Sequence, residues 1–136
     1  AMSYLLDTNI ISEIIKPKPN KGVTEFVSNL HDHDFYISVL TLGEIKRGVE
    51  NSLSQSKKAF LSQWFENNLK REFADRILDI DFNIAEKWGF ITANLRNYNE
   101  VDSLIAATAI SYNLKLVTRN IKDFKIFELE IIDPFK

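Results

Sequence analysis

The sequence predicts an α/β protein in which a mostly parallel sheet of about five strands lies between layers of helices. Three observations predict it. Short apolar runs alternate with longer segments whose apolar residues recur every three or four positions, the signature of strands alternating with helices. Strands separated by helices pair in parallel, because each helix carries the chain back across the sheet before the next strand begins. Finally, 45% apolar residues with only 4 Gly and 3 Pro among 136 residues is the composition of one packed domain, expected to span residues 2–136.

Ser3 to Leu6 is an apolar run ending at Asp7, and Thr8 and Asn9 are capping candidates for a helix that reaches about Lys16. Pro17, Pro19 and Asn20 break that helix, and Val23, Phe26, Val27 and Leu30 mark the next one, which stops at the polar turn His31 to Asp34. Phe35 to Ser38 is the second strand. Val39 to Glu50 carries Leu42, Ile45 and Val49 on one face, and an amphipathic segment from Ser54 to Phe73 carries Phe60, Leu61, Trp64, Phe65 and Leu69. Ile77 to Ile80 is the third strand, followed by a helix from Ile84 to Tyr98. Val101 to about Tyr112 is apolar or small nearly all round, as a buried helix is. Asn113 stands where a left-handed cap closes that helix. Leu114 to Val117 is then the fourth strand, and Ile131 with Ile132 a weak fifth.

The absence of cysteine excludes disulfides, thiolate zinc sites and a Cys nucleophile, and it permits a reducing compartment. No apolar run is long enough to span a membrane, and the start lacks a secretion signal, so a soluble intracellular protein with no membrane partner is expected. Ala1, ahead of Met2, reads as an added residue and is set aside. Seventeen basic against nineteen acidic side chains give a net charge of -2, so any polyanion has to be held by local groups. Lys46 with Arg47, Lys57 with Lys58, Lys70 with Arg71, and Arg119 with Lys122 and Lys125 are the candidates.

In an open parallel sheet, ligands bind beyond the carboxyl ends of the strands, where loops and helix N-termini converge. Asp7 follows strand one, Glu44 lies on the helix after strand two, Asp102 is in the first turn of the buried helix, and Thr118 to Asn120 follow strand four. Taken singly, Asp7 is a helix cap, Asp102 complements a helix dipole, and Glu44 forms a surface ion pair with Arg47. Taken together, three carboxylates at one sheet edge would repel one another unless a cation neutralised them. A hard divalent cation such as Mg²⁺ suits that set, and phosphodiester hydrolysis is the chemistry it suggests.

Other constellations carry less. His31 and His33 are read as loop residues rather than ligands. Gly43 and Gly48 form neither a dinucleotide fingerprint nor a phosphate loop, and no nucleophile elbow surrounds Ser12 or Ser38. Phe60, Trp64 and Phe65 are assigned to a core or a subunit contact, with the Ser54 to Phe73 helix the candidate dimer face.

The segments Tyr4 to Ser12 (YLLDTNIIS), Ser38 to Val49 (SVLTLGEIKRGV), Val101 to Ala109 (VDSLIAATA) and Leu116 to Phe124 (LVTRNIKDF) occur in an order that resembles the VapC toxins, PIN-domain ribonucleases of type II toxin–antitoxin systems. The resemblance runs from near residue 3 to Pro134 and Phe135. It implies a PIN-like α/β/α sandwich, a homodimer, and Mg²⁺- or Mn²⁺-dependent cleavage of RNA leaving a 5′-phosphate and a 3′-hydroxyl. It implies, too, a cognate VapB-like antitoxin whose C-terminal segment covers the active site, promoter DNA bound only through the joint complex, and a bacterial cytoplasmic location. Carried over by position, Asp7, Glu44 and Asp102 become the acidic triad, with Asp7 and Asp102 the direct metal ligands. Asn120 occupies the family's fourth acidic position, Asp123 either substitutes for it or only orients the loop, and Thr118 positions a ligand or water. Because Asn120 has no charge, two other readings stay open: a weakly catalytic or non-catalytic module acting in a DNA-binding autorepressor complex, and a PIN-like nuclease outside any toxin pair.

Overall fold

The computed structural model describes residues 3–136, so Ala1 lies outside the described residues. Five strands form one sheet: β1 (Tyr4–Leu6), β2 (Phe35–Ser38), β3 (Ile77–Leu78), β4 (Lys115–Val117) and β5 (Ile131–Ile132). All pairings are parallel, and the spatial order is β3-β2-β1-β4-β5. The chain therefore builds outward from β1 to one edge, then returns to β1 and builds toward the other. The seam between β1 and β4 is the topological switch point, where the two halves diverge and leave a crevice.

The helices are α1 (Thr8–Ile14), α2 (Lys21–Ser28), α3 (Val39–Glu50), α4 (Gln55–Trp64), α5 (Lys70–Glu72), α6 (Phe82–Thr92), α7 (Glu100–Ser111) and α8 (Ile121–Phe124). A 3-10 turn over Asp32–Asp34 leads into β2. Successive strand residues point to opposite faces, so Leu6, Phe35, Ile37 and Val117 join the core under α1, α2 and α3, while Leu5 and Leu116 join the core under α7 and α8. Helix α7 is buried along most of its length, with Ser103 and Ile105 through Ala109 inaccessible, as its composition predicted. Asn113 does take the left-handed backbone conformation that ends it, with φ of 55°.

Three boundaries differ from the sequence reading. Helix α6 stops at Thr92 rather than Tyr98, because Asn94 adopts a left-handed conformation with φ of 71°; Leu95 and Tyr98 continue the apolar periodicity as packed coil. The Ser54–Phe73 segment is one helical rod interrupted by a π-helical turn over Phe65–Leu69, where the Lys70 N–H reaches back to the Phe65 carbonyl. That turn keeps Phe65, Leu69 and Phe73 all in the core and leaves Phe60 as the strongly exposed aromatic of the rod. The third strand is two residues long. It is secured by Arg76, whose buried guanidinium lies between the rings of Phe35 and Phe73 and donates to the carbonyls of Phe35 and Glu72. No helix among the described residues is long and apolar enough to cross a membrane.

Candidate metal-dependent active site

Asp7 is the centre of the switch point. It follows β1 directly, its N–H donates to the Val117 carbonyl (2.9 Å), and its side chain caps α1 by accepting from the Thr8 N–H at 2.8 Å. Its other oxygen accepts from the Thr118 hydroxyl at 2.8 Å and from the Asn9 amide at 3.3 Å. Capping α1 thus leaves Asp7 at the switch point, so the two readings of the residue are compatible. An ionised carboxylate has about four acceptor positions, and three are used here, so one lone pair remains for a cation.

The loop after β4 is stitched to α1 by the same atoms. The Asn9 amide donates to Thr118 Oγ1 (3.1 Å), and Asn9 Oδ1 accepts the Arg119 N–H (3.0 Å). The Asn120 N–H donates to Thr118 Oγ1 (3.0 Å). Thr118 is completely buried and uses its one proton and both lone pairs, so it can only hold Asp7 and not reach a substrate itself. Asn120 takes part through its backbone; its side chain makes no capping bond to α8 and is exposed.

Glu44 comes from the second turn of α3, which Ser38 caps by accepting the Leu40 N–H. The Thr8 hydroxyl donates to Glu44 Oε1 at 2.5 Å, tying α3 to the first turn of α1. The ion pair with Arg47 is present but long, at 3.9 Å. A neutral donor on the inner side and a weak cation on the outer side leave most of the Glu44 charge uncompensated. Thr8 and Asn9, read from sequence only as capping candidates, are here the residues that fix two of the three carboxylates. Their signal was their place in the first turn after a strand that ends at the switch point.

Asp102 stands in the first turn of α7, its N–H donated to Asn99 Oδ1 at 2.9 Å. Burial pushes its pKa up to about 6, and the charges of Asp7, Asp123 and Glu44 push in the same direction. Burial also raises Asp7, with Glu44 adding to the rise, while the bonds from Thr118, Thr8 and Asn9 oppose it. Four acidic groups from α1, α3, α7 and α8 therefore act on one small region. Asp123, three residues beyond Asn120, is the group after β4 whose charge Asp102 feels. His31 is exposed on its 3-10 turn and carries no part of this.

No three acidic or histidine side chains among the described residues form a complete ligand set. Mg²⁺ keeps several waters and takes only one or two carboxylates directly. The all-oxygen donors and the mutual repulsion centred on Asp102 fit such an ion. Local positive charge is also sorted by the fold. Lys46 and Lys58 are held by Glu50, and Lys70 by Glu66. Lys122 lines a cleft beside Asp102 and Asp123, and the Arg119 guanidinium lies 4.6 Å from the Phe135 ring centre.

Residues 4–127 match the family model of the PIN domain. This chain belongs to the PIN-domain family, among proteins of the VapC type. Toxin FitB of Neisseria gonorrhoeae is 33% identical over 135 residues, spanning 96% of this chain and 97% of that one. The solved FitAcB structure from the same organism superposes with a TM-score of 0.90 at 32% identity, over 96% of this chain and 97% of that one. Ribonuclease VapC2 of Rickettsia felis is 35% identical over 133 residues, 91% of each chain. The structure of VapBC2 from that species, bound to a DNA fragment from its promoter, superposes with a TM-score of 0.79 at 26% identity, covering 99% of this chain and 100% of its counterpart. As a PIN domain, this chain shares the parallel five-stranded sheet between helices that the sequence resemblance implied.

Proposed function

We propose that this PIN domain is the toxin of a type II toxin–antitoxin pair, an endoribonuclease that hydrolyses RNA phosphodiester bonds with Mg²⁺, or Mn²⁺ in its place. The single observation that carries the proposal is the convergence of Asp7, Glu44, Asp102 and Asp123 on one crevice, where burial first, and then the charges of the other three, push Asp102 up to about 6. A divalent ion bound here would supply Lewis acidity and an activated water. Asp7 and Asp102 would hold it. Glu44, fixed by Thr8, accepts a proton from the attacking water or orients it. Thr118 keeps Asp7 aimed into the crevice, and Asp123 supplies the acidic group that Asn120 lacks in the fourth position. Lys122, beside Asp102 and Asp123, offsets the phosphate charge.

The related complexes carry a partner in their names, and one is bound to promoter DNA. By analogy, this chain pairs with a VapB-like antitoxin that covers the crevice, reaches promoter DNA only through that complex, and works as a homodimer in the bacterial cytoplasm. The test is expression of wild type and Asp7→Asn without an antitoxin, following growth and RNA integrity, together with RNA cleavage by purified protein with Mg²⁺ and with chelator. Growth arrest and RNA cleavage should need both Asp7 and the metal. Equal toxicity of the two forms refutes the nuclease assignment and favours the autorepressor module.

A further inference from the structure

A cleft of about 430 Å³ adjoins the acidic crevice, lined by Asn97, Tyr98, Asn99, Asp102, Lys122, Asp123 and Ile126. Asp102 and Asp123 are walls of both, so whatever sits in this cleft lies next to the phosphate under attack. Its chemistry is mixed in a particular way. Tyr98 packs against the core beneath α6 and α7, which holds its ring in place, and Ile126 is 51% exposed although apolar. Asn97 is exposed, and among the described residues neither its amide nor the Lys122 ammonium has a hydrogen-bond or ion-pair partner. Asn99, by contrast, is occupied in capping α7, which makes the rear of the cleft rigid.

A flat apolar contact, an uncommitted amide and a free ammonium are the three groups that an unpaired nucleotide requires. An apolar or aromatic surface takes the face of the base, an amide reads its edge, and a cation takes a flanking phosphate. We propose that this cleft seats one unstacked nucleobase of a single-stranded RNA, adjacent to the bond that is cut. Tyr98 and Ile126 bracket the base, Asn97 reads its hydrogen-bonding edge, and Lys122 binds the neighbouring phosphate. The cleft is thereby the specificity element of the ribonuclease, and the proposal rests on that reading. A paired base cannot enter, since its edge is already engaged and its faces are stacked.

The full chain is incubated with Mg²⁺ and a single-stranded RNA pool carrying a randomised segment, and the cut ends are sequenced for wild type, Asn97→Asp, Ile126→Ala and Lys122→Ala. All three side chains are exposed, so circular dichroism should show unchanged folds. Wild type should prefer one base at a fixed position beside the cut, and Asn97→Asp and Ile126→Ala should reduce that preference by about tenfold. Lys122→Ala should weaken cleavage of all sequences alike and lower the salt dependence of binding by about one charge. In parallel, Asp7→Asn and the double variant Asp7→Asn/Asn97→Asp are used to select binders from the same pool. A base preference that appears in binding and is lost in the double variant supports the cleft even if wild type cuts nothing, an outcome that would refute the nuclease assignment alone. Cleavage with an unchanged profile in Asn97→Asp and Ile126→Ala overturns the cleft and leaves the nuclease standing. Failure of the pool to bind at all, or loss of affinity for a protein partner rather than RNA on Asn97→Asp, overturns it as well.

Discussion

Removing one negative charge from the crevice should stabilise the metal-free protein while destroying its affinity for metal. Asp102 illustrates the size of the effect. Its pKa rises from the ordinary 3.8 to about 6 in the fold, which corresponds to at most about 3 kcal/mol of unfavourable interaction with the charged form. Because Asp102 is only half-buried, solvent screening reduces this to about 1–2 kcal/mol. Asn at the same place also forgoes an attraction to the α7 dipole of roughly 0.5 kcal/mol. The net gain for Asp102→Asn at neutral pH is therefore about 1 kcal/mol, or roughly 3–5 °C in Tm for a chain of this size.

The pH dependence fixes the sign. A carboxyl raised in the fold stays protonated there between pH 3.8 and about 6 while the unfolded chain has already lost the proton, so the folded state loses stability as pH rises through that window. The Tm advantage of Asp102→Asn should be absent near pH 4, grow to about pH 6, and be complete at pH 7–8. Scanning calorimetry of both proteins with chelator measures it. Saturating Mg²⁺ should raise the wild-type Tm and leave the variant where it was. A difference independent of pH, or a variant less stable than wild type at pH 8 without metal, would refute the argument that burial and like charges disfavour ionised Asp102 in the fold.

Three other outcomes follow from particular contacts. Thr118→Val keeps the shape of a fully buried side chain but deprives Asp7, Asn9 and the Asn120 N–H of their partner; a loss of about 1–3 kcal/mol in urea unfolding should accompany weaker metal binding. Thr8→Ala releases Glu44, and a drop of about 10- to 100-fold in cleavage rate or metal affinity is expected with the fold intact, measured by steady-state kinetics and calorimetric Mg²⁺ titration. Gly22→Ala would place a methyl group 2.1 Å from the Pro134 carbonyl oxygen, so the tail segment must lift from α2; faster proteolysis after residue 130 would report it, and an unchanged digestion pattern would refute it.

Much of this was legible in the sequence, for reasons that differ between elements. The order of strands and helices follows from periodicity, and α7 stands out because a helix apolar all round has only one place to go. Asp7, Glu44 and Asp102 could be named because each follows a strand or opens a helix at the same end of the sheet. The bonds that aim them could not be. That Thr8 serves Glu44 and Asn9 serves Thr118 depends on side chains separated by 36 and 109 positions, and no local pattern encodes such pairings. The early end of α6 was hidden because Leu95 and Tyr98 keep an apolar rhythm while packing as coil. The π-helical turn has no compositional mark at all. Arg76 reads as a surface cation until Phe35, forty-one residues earlier, is placed against it.

The sheet order carries a consequence for how the molecule comes into being. β1, the strand that precedes the other four in the domain, lies between β2 and β4, and the Asp7 carboxylate is steadied by a hydroxyl that leaves the ribosome 111 residues later. Emerging amino-terminal segments can collapse early, but the crevice has one open wall until β4 slots in beside β1. Translation itself thus works as a delay: until the segment after β4 has emerged, Asp7 lacks the Thr118 hydroxyl that steadies it.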